Sequence, residues 1–273
     1  MKGFQVPDFS EVKGPDDIMD FAKSHSFPLV IKAIRAGTRS HDRVWIVQTQ
    51  AEAMKVLSEH GQSGLMVEEH KDILQELVAI VARRPGGNKR VYPISQVINS
   101  GGMCREVRSP ADIGPHIAKE AREIAMELAD YLGTVGVLSV ELFLTGDGLV
   151  INELAARPHN AGHYTLEGSA TSQFDNHVRA ILDYPLGPTD VTQPAAATLN
   201  VIGEQNCPNP FDNLADALAV EGAHVHLYGK LPVAGSKLGH VTALGPTIEQ
   251  AREIACRAEA ALLGKRFLKG ERN

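Results

Sequence analysis

Residues 136–167 read GVLSVELFLTGDGLVINELAARPHNAGHYTLE, and the first half of that stretch decides the fold. Residues 136–143 and 149–154 are apolar runs, and Thr145-Gly146-Asp147-Gly148 between them is turn chemistry. Two such runs joined by a short glycine-containing loop read as an antiparallel hairpin. Each strand carries a carboxylate in apolar surroundings, Glu141 in VLSVELFL and Glu153 in LVINELA. An unpaired buried carboxylate is costly or changes its protonation. If the loop is odd and centred on Asp147, Glu141 lies opposite Glu153; if it is even, Glu141 faces Asn152. Either register sets oxygen ligands side by side, with facing β-carbons about 5 Å apart. Two such charges repel unless a cation lies between them. Hard oxygen ligands with no His or Cys beside them in the strands point to Mg²⁺ or Mn²⁺, and magnesium binds through one or two carboxylates plus substrate phosphates.

A bare pair of glutamates reads equally well as the solvated face of a two-layer sheet. The exit loop shifts that balance. Arg157-Pro158-His159-Asn160-Ala161-Gly162-His163-Tyr164 places a guanidinium, two imidazoles and an amide at a strand end, where ligands are commonly held. Arg157 suits bidentate recognition of phosphate or carboxylate.

Outward from the hairpin, strands are expected at 28–34, 43–49, 64–67, 77–83, 90–97, 198–202, 224–228 and 240–244. Helices are expected at 50–60 (Ala51, Met54 and Leu57 on one face), 112–132 (Ile117, Ile124, Leu128, Leu132), 171–182 (Phe174, His177, Val178, Ile181), 213–220 and 248–263. Pro85-Gly86-Gly87-Asn88 joins a second hairpin. Frequent hairpins favour an α+β fold with largely antiparallel sheets over a doubly wound one. Residues 184–194 read as a linker into a small C-terminal part, and Met1 to Pro7 reads as the end of a helix running into a turn.

The 273 residues are 43% hydrophobic and 22% charged, ample for a full core. The formal charge of -6 argues against a general nucleic-acid binder. No apolar run approaches the roughly 18 residues of a membrane span, and residues 1–7 do not read as a signal peptide. Cys104, Cys207 and Cys256 lack metal-ligand spacing and read as reduced residues of a cytoplasmic protein.

The stretch 136–187 closely resembles the core of 5-(carboxyamino)imidazole ribonucleotide synthases, biotin-independent purine-pathway ligases of the ATP-grasp superfamily. The family run NE-(I/L)-AxRPHNSGH(Y/W)T-(I/L)-E is matched from Asn152 to Glu167, with Ala161 where serine is usual. Tyr228-Gly229-Lys230 and Lys237-Leu238-Gly239-His240-Val241-Thr242 match a second family mark. The resemblance covers nearly the whole chain. It implies an ATP-grasp fold, two α+β subdomains gripping ATP (residues 1–183, with lobes 1–70 and 71–183), followed by a β-rich part at 195–273. It also implies a reaction in which ATP phosphorylates bicarbonate and the carboxyl group passes to 5-aminoimidazole ribonucleotide.

By position, the resemblance makes Glu141 and Glu153 magnesium ligands with Asn152 beside them, and Lys32 the lysine on the nucleotide phosphates. Glu68, Glu69, His70 and Lys71 match the hinge that reads adenine largely by backbone groups, and Glu76 the acid that holds the ribose hydroxyls. Arg157, His159, Asn160 and His163 match the part holding the imidazole nucleotide and carboxyphosphate. Lys230 and Lys237 match the cations on the ribonucleotide phosphate. A homodimer with small-molecule partners only is the family expectation.

Three features depart from the family. The glycine-rich lid RGGYDGKGQ is replaced by RAGTRSHDRV at 35–44, which keeps Arg39 and Arg43 as possible phosphate contacts. Asn99 replaces a family histidine at a nucleotide contact. The usual first domain of roughly one hundred residues is not in the chain. Two further readings therefore stand beside the active ligase: a truncated or degenerate nucleotide binder without turnover, and a sister formate-dependent glycinamide ribonucleotide transformylase.

Overall fold

The structure, a computed structural model, describes residues 3–34 and 44–265. The altered lid at 35–43 lies outside the described residues. The chain divides into two compact units.

The first unit comprises the segment up to Leu74 with the tips at 101–103 and 143–152. Its sheet contains β1 (Phe9–Val12), β2 (Leu29–Ala33), β3 (Val44–Val47) and β4 (Leu65–Glu69), with α1 (Pro15–His25) and α2 (Gln50–His60). The strand order is β1-β4-β2-β3, all antiparallel. Helix α1 begins at a proline, carries Asp16 and Asp17 in its first turn and Lys23 and His25 in its last, as the helix dipole favours. Thr49 caps α2 by accepting from the Glu52 amide at 3.3 Å. Ile18, Leu29, Ile31, Val47, Ala53, Val56, Leu65 and Val67 form the core. The buried face of α2 is thus centred on Ala53 and Val56, not on Ala51, which is exposed. Residues 3–8 are irregular rather than a helix end, and the Ile151 amide donates to Gln5 O at 2.9 Å.

The second unit is built on a nine-stranded sheet, ordered β10-β9-β5-β7-β8-β11-β13-β12 with β6 also on β5. Its strands are β5 (Gln75–Arg83), β6 (Lys89–Val91), β7 (Ser95–Ser100), β8 (Met103–Ser109), β9 (Gly136–Thr145), β10 (Gly148–Ala155), β11 (Ala195–Ile202), β12 (Ala223–Leu227) and β13 (Lys237–Gly245). Its helices are α3 (Pro115–Tyr131), α4 (Thr165–Gly168), α5 (Gln173–Ile181), α6 (Leu214–Leu218) and α7 (Ile248–Leu262). The expected strand at 90–97 is split around Pro93, which has no amide to give a ladder. Strand β8 was not expected. Its apolar pattern is broken by Glu106, yet Glu106 is buried between Arg108, at 2.6 Å, and Arg252. Because β8 pairs with β11, the C-terminal strands continue the sheet of this unit, and α7 and α6 cover a core of Leu199, Val201, Leu238 and Val241.

Two expected helix faces of this unit are corrected as well. On α3, Leu128 is buried with Ala121, Ala125 and Ala129, while Leu132 is exposed. On α5 the buried side chains are Gln173, Asn176 and Ala180, whereas Val178 and Ile181 are more than half exposed. Asn176 is tolerated inside because it donates to Tyr92 Oη at 2.8 Å and accepts from the Gly187 amide at 2.8 Å. His177 accepts from the Val137 amide at 3.1 Å and lies where a β-carbon on Gly136 would clash. Gly136, at φ 109°, is thus required for α5 to hold the start of β9.

Candidate active site

In the first unit, the register of β2 against β4 sets Lys32 opposite Met66 and Val30 opposite Glu68. Lys32 and Glu68 therefore share a face as diagonal neighbours. Lys32 Nζ lies 2.6 Å from Glu68 Oε2 and donates to Asn152 Oδ1 at 3.0 Å. Glu68 is only 8% exposed, so Lys32 supplies the counter-charge its burial requires. The side chain expected in a hinge is thus committed to the lysine. Glu69 accepts from the Asp8 amide at 3.0 Å and lies 2.5 Å from Lys71 Nζ. Burial opposes its charge, but Lys71 and the Asp8 amide outweigh burial and lower its pKa. His70 is half-buried in the irregular segment that follows.

In the second unit, Glu76 on β5 is opposite Val97 on β7, which puts Asn99 on the same face two residues on. Asn99 Nδ2 donates to Glu76 Oε2, so the expected ribose acid and the substituted nucleotide contact are brought together. Burial raises the Glu76 pKa, the Asn99 bond opposes the rise, and the nearby Glu141 charge adds to it.

Between β9 and β10 lie only Gly146 and Asp147, the even count of the two considered. Thr145 Oγ1 closes this turn, donating to Gly148 O at 3.0 Å and accepting from the Asp147 amide at 3.2 Å. Glu141 is half-buried and Glu153 exposed. Glu141 Oε1 lies 3.2 Å from His159 Nε2. His159 Nδ1 accepts from the Ala161 amide at 3.3 Å, so the proton of the neutral ring sits on Nε2, towards the carboxylate. Among the described residues, no three His, Cys, Asp or Glu side chains form a ready metal cage. Magnesium, which keeps waters and takes other ligands from phosphate, does not require such a cage.

Arg157 is exposed and its guanidinium donates to Pro158 O at 3.1 Å. Lys237 is half-buried: burial lowers its pKa, and the Lys230 and Arg157 charges push the same way. Two of the expected cations, Lys230 and Arg157, thus act on the third, Lys237. Lys230 Nζ also lies 5.9 Å from the centre of the Tyr228 ring.

His163 belongs to a different arrangement. Its ring stacks on His240 at 4.4 Å between centroids, and His240 stacks on His226 at 4.5 Å. His226 Nε2 lies 2.7 Å from Glu167 Oε1, and Tyr228 Oη 2.7 Å from His240 Nδ1. The column and Asn160 line a cavity of about 690 Å³ together with Leu166 and Phe174. Burial, then the Lys237 charge, brings the His163 pKa down to about 4; burial, then its neighbouring imidazoles, brings that of His240 down to about 3. Both rings are neutral near pH 7. In the unfolded chain each takes a proton below about pH 6.5, while the folded rings resist until about 4 and 3. Their contribution to stability is full above pH 6.5 and is lost as pH falls towards those values. Urea unfolding is expected to show lower stability at pH 5 than at pH 7.5, and a smaller drop in His240→Gln.

Gln173 was not expected in the site. It is fully buried, and its amide carries two bonds to the His159 backbone. A β-carbon on Gly162 would stand 2.5 Å from the Gln173 side chain. Gly162→Ala is expected to cost about 1–3 kcal/mol by overpacking, and much less in a Gln173→Ala background. Equal costs in both backgrounds, by chemical denaturation, would contradict that coupling. Glu167, His226, Tyr228 and His240 were also unassigned, although Glu167, Tyr228 and His240 lie in the quoted family runs.

The ATP-grasp domain family matches residues 1–174, and the phosphoribosylaminoimidazole carboxylase C-terminal domain family matches 196–254. N5-carboxyaminoimidazole ribonucleotide synthase of Mycobacterium tuberculosis is 42% identical over 266 residues, covering 95% of this chain and 61% of that protein. The chain thus spans about three fifths of the curated relatives it matches first. The crystal structure of N5-carboxyaminoimidazole ribonucleotide synthetase from Thermus thermophilus superposes with a TM-score of 0.83 at 34% identity, covering 98% of this chain and 70% of that one. The Aspergillus clavatus synthase in complex with ADP and 5-aminoimidazole ribonucleotide gives a TM-score of 0.85 at 29% identity, covering 95% and 69%. On these matches, over both units and both motif runs, the chain belongs to the N5-carboxyaminoimidazole ribonucleotide synthase family of ATP-grasp proteins.

Proposed function

We propose that this chain performs the ATP-dependent carboxylation of 5-aminoimidazole ribonucleotide by bicarbonate, through carboxyphosphate, in de novo purine synthesis. The observation that carries the proposal is the Glu141–His159 contact at 3.2 Å on a hairpin whose exit loop holds Arg157, whose charge, like that of Lys230, acts on Lys237. A bicarbonate oxygen attacks the γ-phosphorus and ADP leaves; the exocyclic amine then attacks the carbonyl carbon and loses a proton as the carbon–oxygen bond breaks and phosphate leaves. No protein nucleophile takes part, so catalysis is positioning and charge neutralisation. Lys32, fixed by Glu68 and Asn152, holds ATP phosphates. Glu69, His70, Lys71, Glu76 and Asn99 hold the adenosine. Arg157, exposed and planar, takes bicarbonate or carboxyphosphate in a bidentate grip. His159 holds Glu141 through Nε2, and Lys230 and Lys237 take the ribonucleotide phosphate. Asn160 and His163 shape the wall beside them. Glu141 and Glu153, with Asn152 adjoining, would hold Mg²⁺ (or Mn²⁺), which when bound neutralises developing phosphoryl charge.

The family matches at 1–174 and 196–254 support a division into 1–183, a connecting 184–194, and 195–273. The three free cysteines are compatible with a reducing cytoplasm, and no described helix is long and apolar enough to cross a membrane. A homodimer is proposed from the family alone.

A second reading, nucleotide binding without turnover, is favoured by the lid sequence RAGTRSHDRV. Assaying ADP release with and without bicarbonate and 5-aminoimidazole ribonucleotide separates the two. Release that needs both supports the ligase. ATP binding without release supports the second reading, and release that needs formate and glycinamide ribonucleotide supports the sister enzyme.

A further inference from the structure

We infer that Gln173 is a positioning residue that sets the aim and the tautomer of His159, an inference that rests on His159 being an active-site group. Gln173 opens α5 and is 0% exposed. Its Oε1 accepts from the His159 amide at 3.0 Å, and its Nε2 donates to His159 O at 2.7 Å. Both backbone polar groups of one loop residue therefore end on one side chain, as they would on a neighbouring strand. The helix does not need this arrangement. Ser172 already caps α5 by accepting from the Asp175 amide at 3.1 Å.

The clamp is itself held. The Gln173 amide donates to Thr165 Oγ1 at 3.0 Å, and that hydroxyl donates to Gly162 O at 2.6 Å. Gly162, lacking a β-carbon, lets the glutamine amide approach the loop. With its backbone fixed, His159 turns Nδ1 onto the Ala161 amide and leaves Nε2, 3.2 Å from Glu141 Oε1, as the nitrogen that carries the proton. A neutral imidazole free of such contacts exchanges its proton between the two nitrogens. A small displacement of the His159 backbone lengthens the Ala161 contact, already 3.3 Å, and removes the preference. Gln173 thus reaches the reaction centre without touching substrate.

The test is a long-range ¹H–¹⁵N correlation spectrum of the full chain with labelled histidine, the His159 signal assigned by its loss in His159→Gln. The wild type is expected to show one pattern, with a bare Nδ1 and a protonated Nε2. Gln173→Met, which keeps the length and loses both bonds, is expected to give a mixed pattern for His159 with the other histidines unmoved. Gln173→Glu keeps the acceptor, repels His159 O, and is expected to give the same mixing. An unchanged His159 pattern in either folded variant overturns the inference. If neither variant folds, Gln173 is a general core residue and the inference also fails. Where the wild type releases ADP with bicarbonate, both variants are expected to lower kcat by about a hundredfold, the usual scale for a misplaced reacting group, with KM for ATP unchanged. Absence of release in the wild type counts against the ligase reading alone and leaves the spectral test standing.

Discussion

Lys32→Met is expected to weaken ATP binding and to destabilise the first unit, and the two losses are expected to separate in a double variant. Lys32 Nζ sits 2.6 Å from Glu68 Oε2, and the glutamate is buried. Removing the lysine strands a buried carboxylate, which costs about 3–5 kcal/mol. The same change removes the cation proposed for the nucleotide phosphates. A hydrogen bond to a charged group is worth about 1.5–3 kcal/mol, or about tenfold to a hundredfold in Kd. Replacing both members, as in Lys32→Met/Glu68→Leu, removes the stranded charge. Stability is expected to return largely, because an apolar pair can substitute for a buried ion pair. ATP affinity is expected to stay low. Denaturant unfolding and calorimetric titration read the two quantities separately. A single variant with unchanged stability, or a double variant that binds ATP normally, contradicts this account of Lys32.

Glu153→Gln and Glu141→Gln are expected to lower kcat by about a hundredfold or more, since metal neutralisation of phosphoryl charge is worth several kcal/mol. Titrating ATP with and without magnesium isolates the cause. The wild type is expected to gain affinity with the metal and both variants to gain little. Glu153 is exposed, so Glu153→Gln is expected to leave stability within about 0.5 kcal/mol of wild type. Glu141→Gln also weakens the hold on His159. Full turnover in Glu153→Gln would remove it from the metal site.

The β9–β10 hairpin was legible because apolar alternation, turn chemistry and two misplaced carboxylates lie within twenty residues. The loop count was not, since strand ends are set by backbone pairing. The Lys32–Asn152 contact joins residues 120 positions apart, which no local pattern reports. On α5 the apolar stripe pointed the wrong way because hydrogen bonds to Tyr92, Gly187 and His159 satisfy Asn176 and Gln173 inside. The same burial of satisfied polar groups hid Gln173 from the site. Strand β8 went unread because Glu106 looks solvated until Arg252, 146 residues on, is seen to pair with it. The histidine column shows the converse. His163 stood out in a functional run, while the histidines of the column it joins, His226 and His240, come from β12 and β13.

The central claim is that bicarbonate, not water, attacks ATP on this chain. The most direct measurement supplies ¹⁸O-labelled bicarbonate with ATP, magnesium and 5-aminoimidazole ribonucleotide, and weighs the phosphate released. Carboxyphosphate breaks between carbon and oxygen, so its phosphate keeps the oxygen that bicarbonate contributed. One ¹⁸O per phosphate is the predicted result. ADP formed with unlabelled phosphate, as water attack on ATP gives, or bound ATP with no phosphate at all, would contradict it.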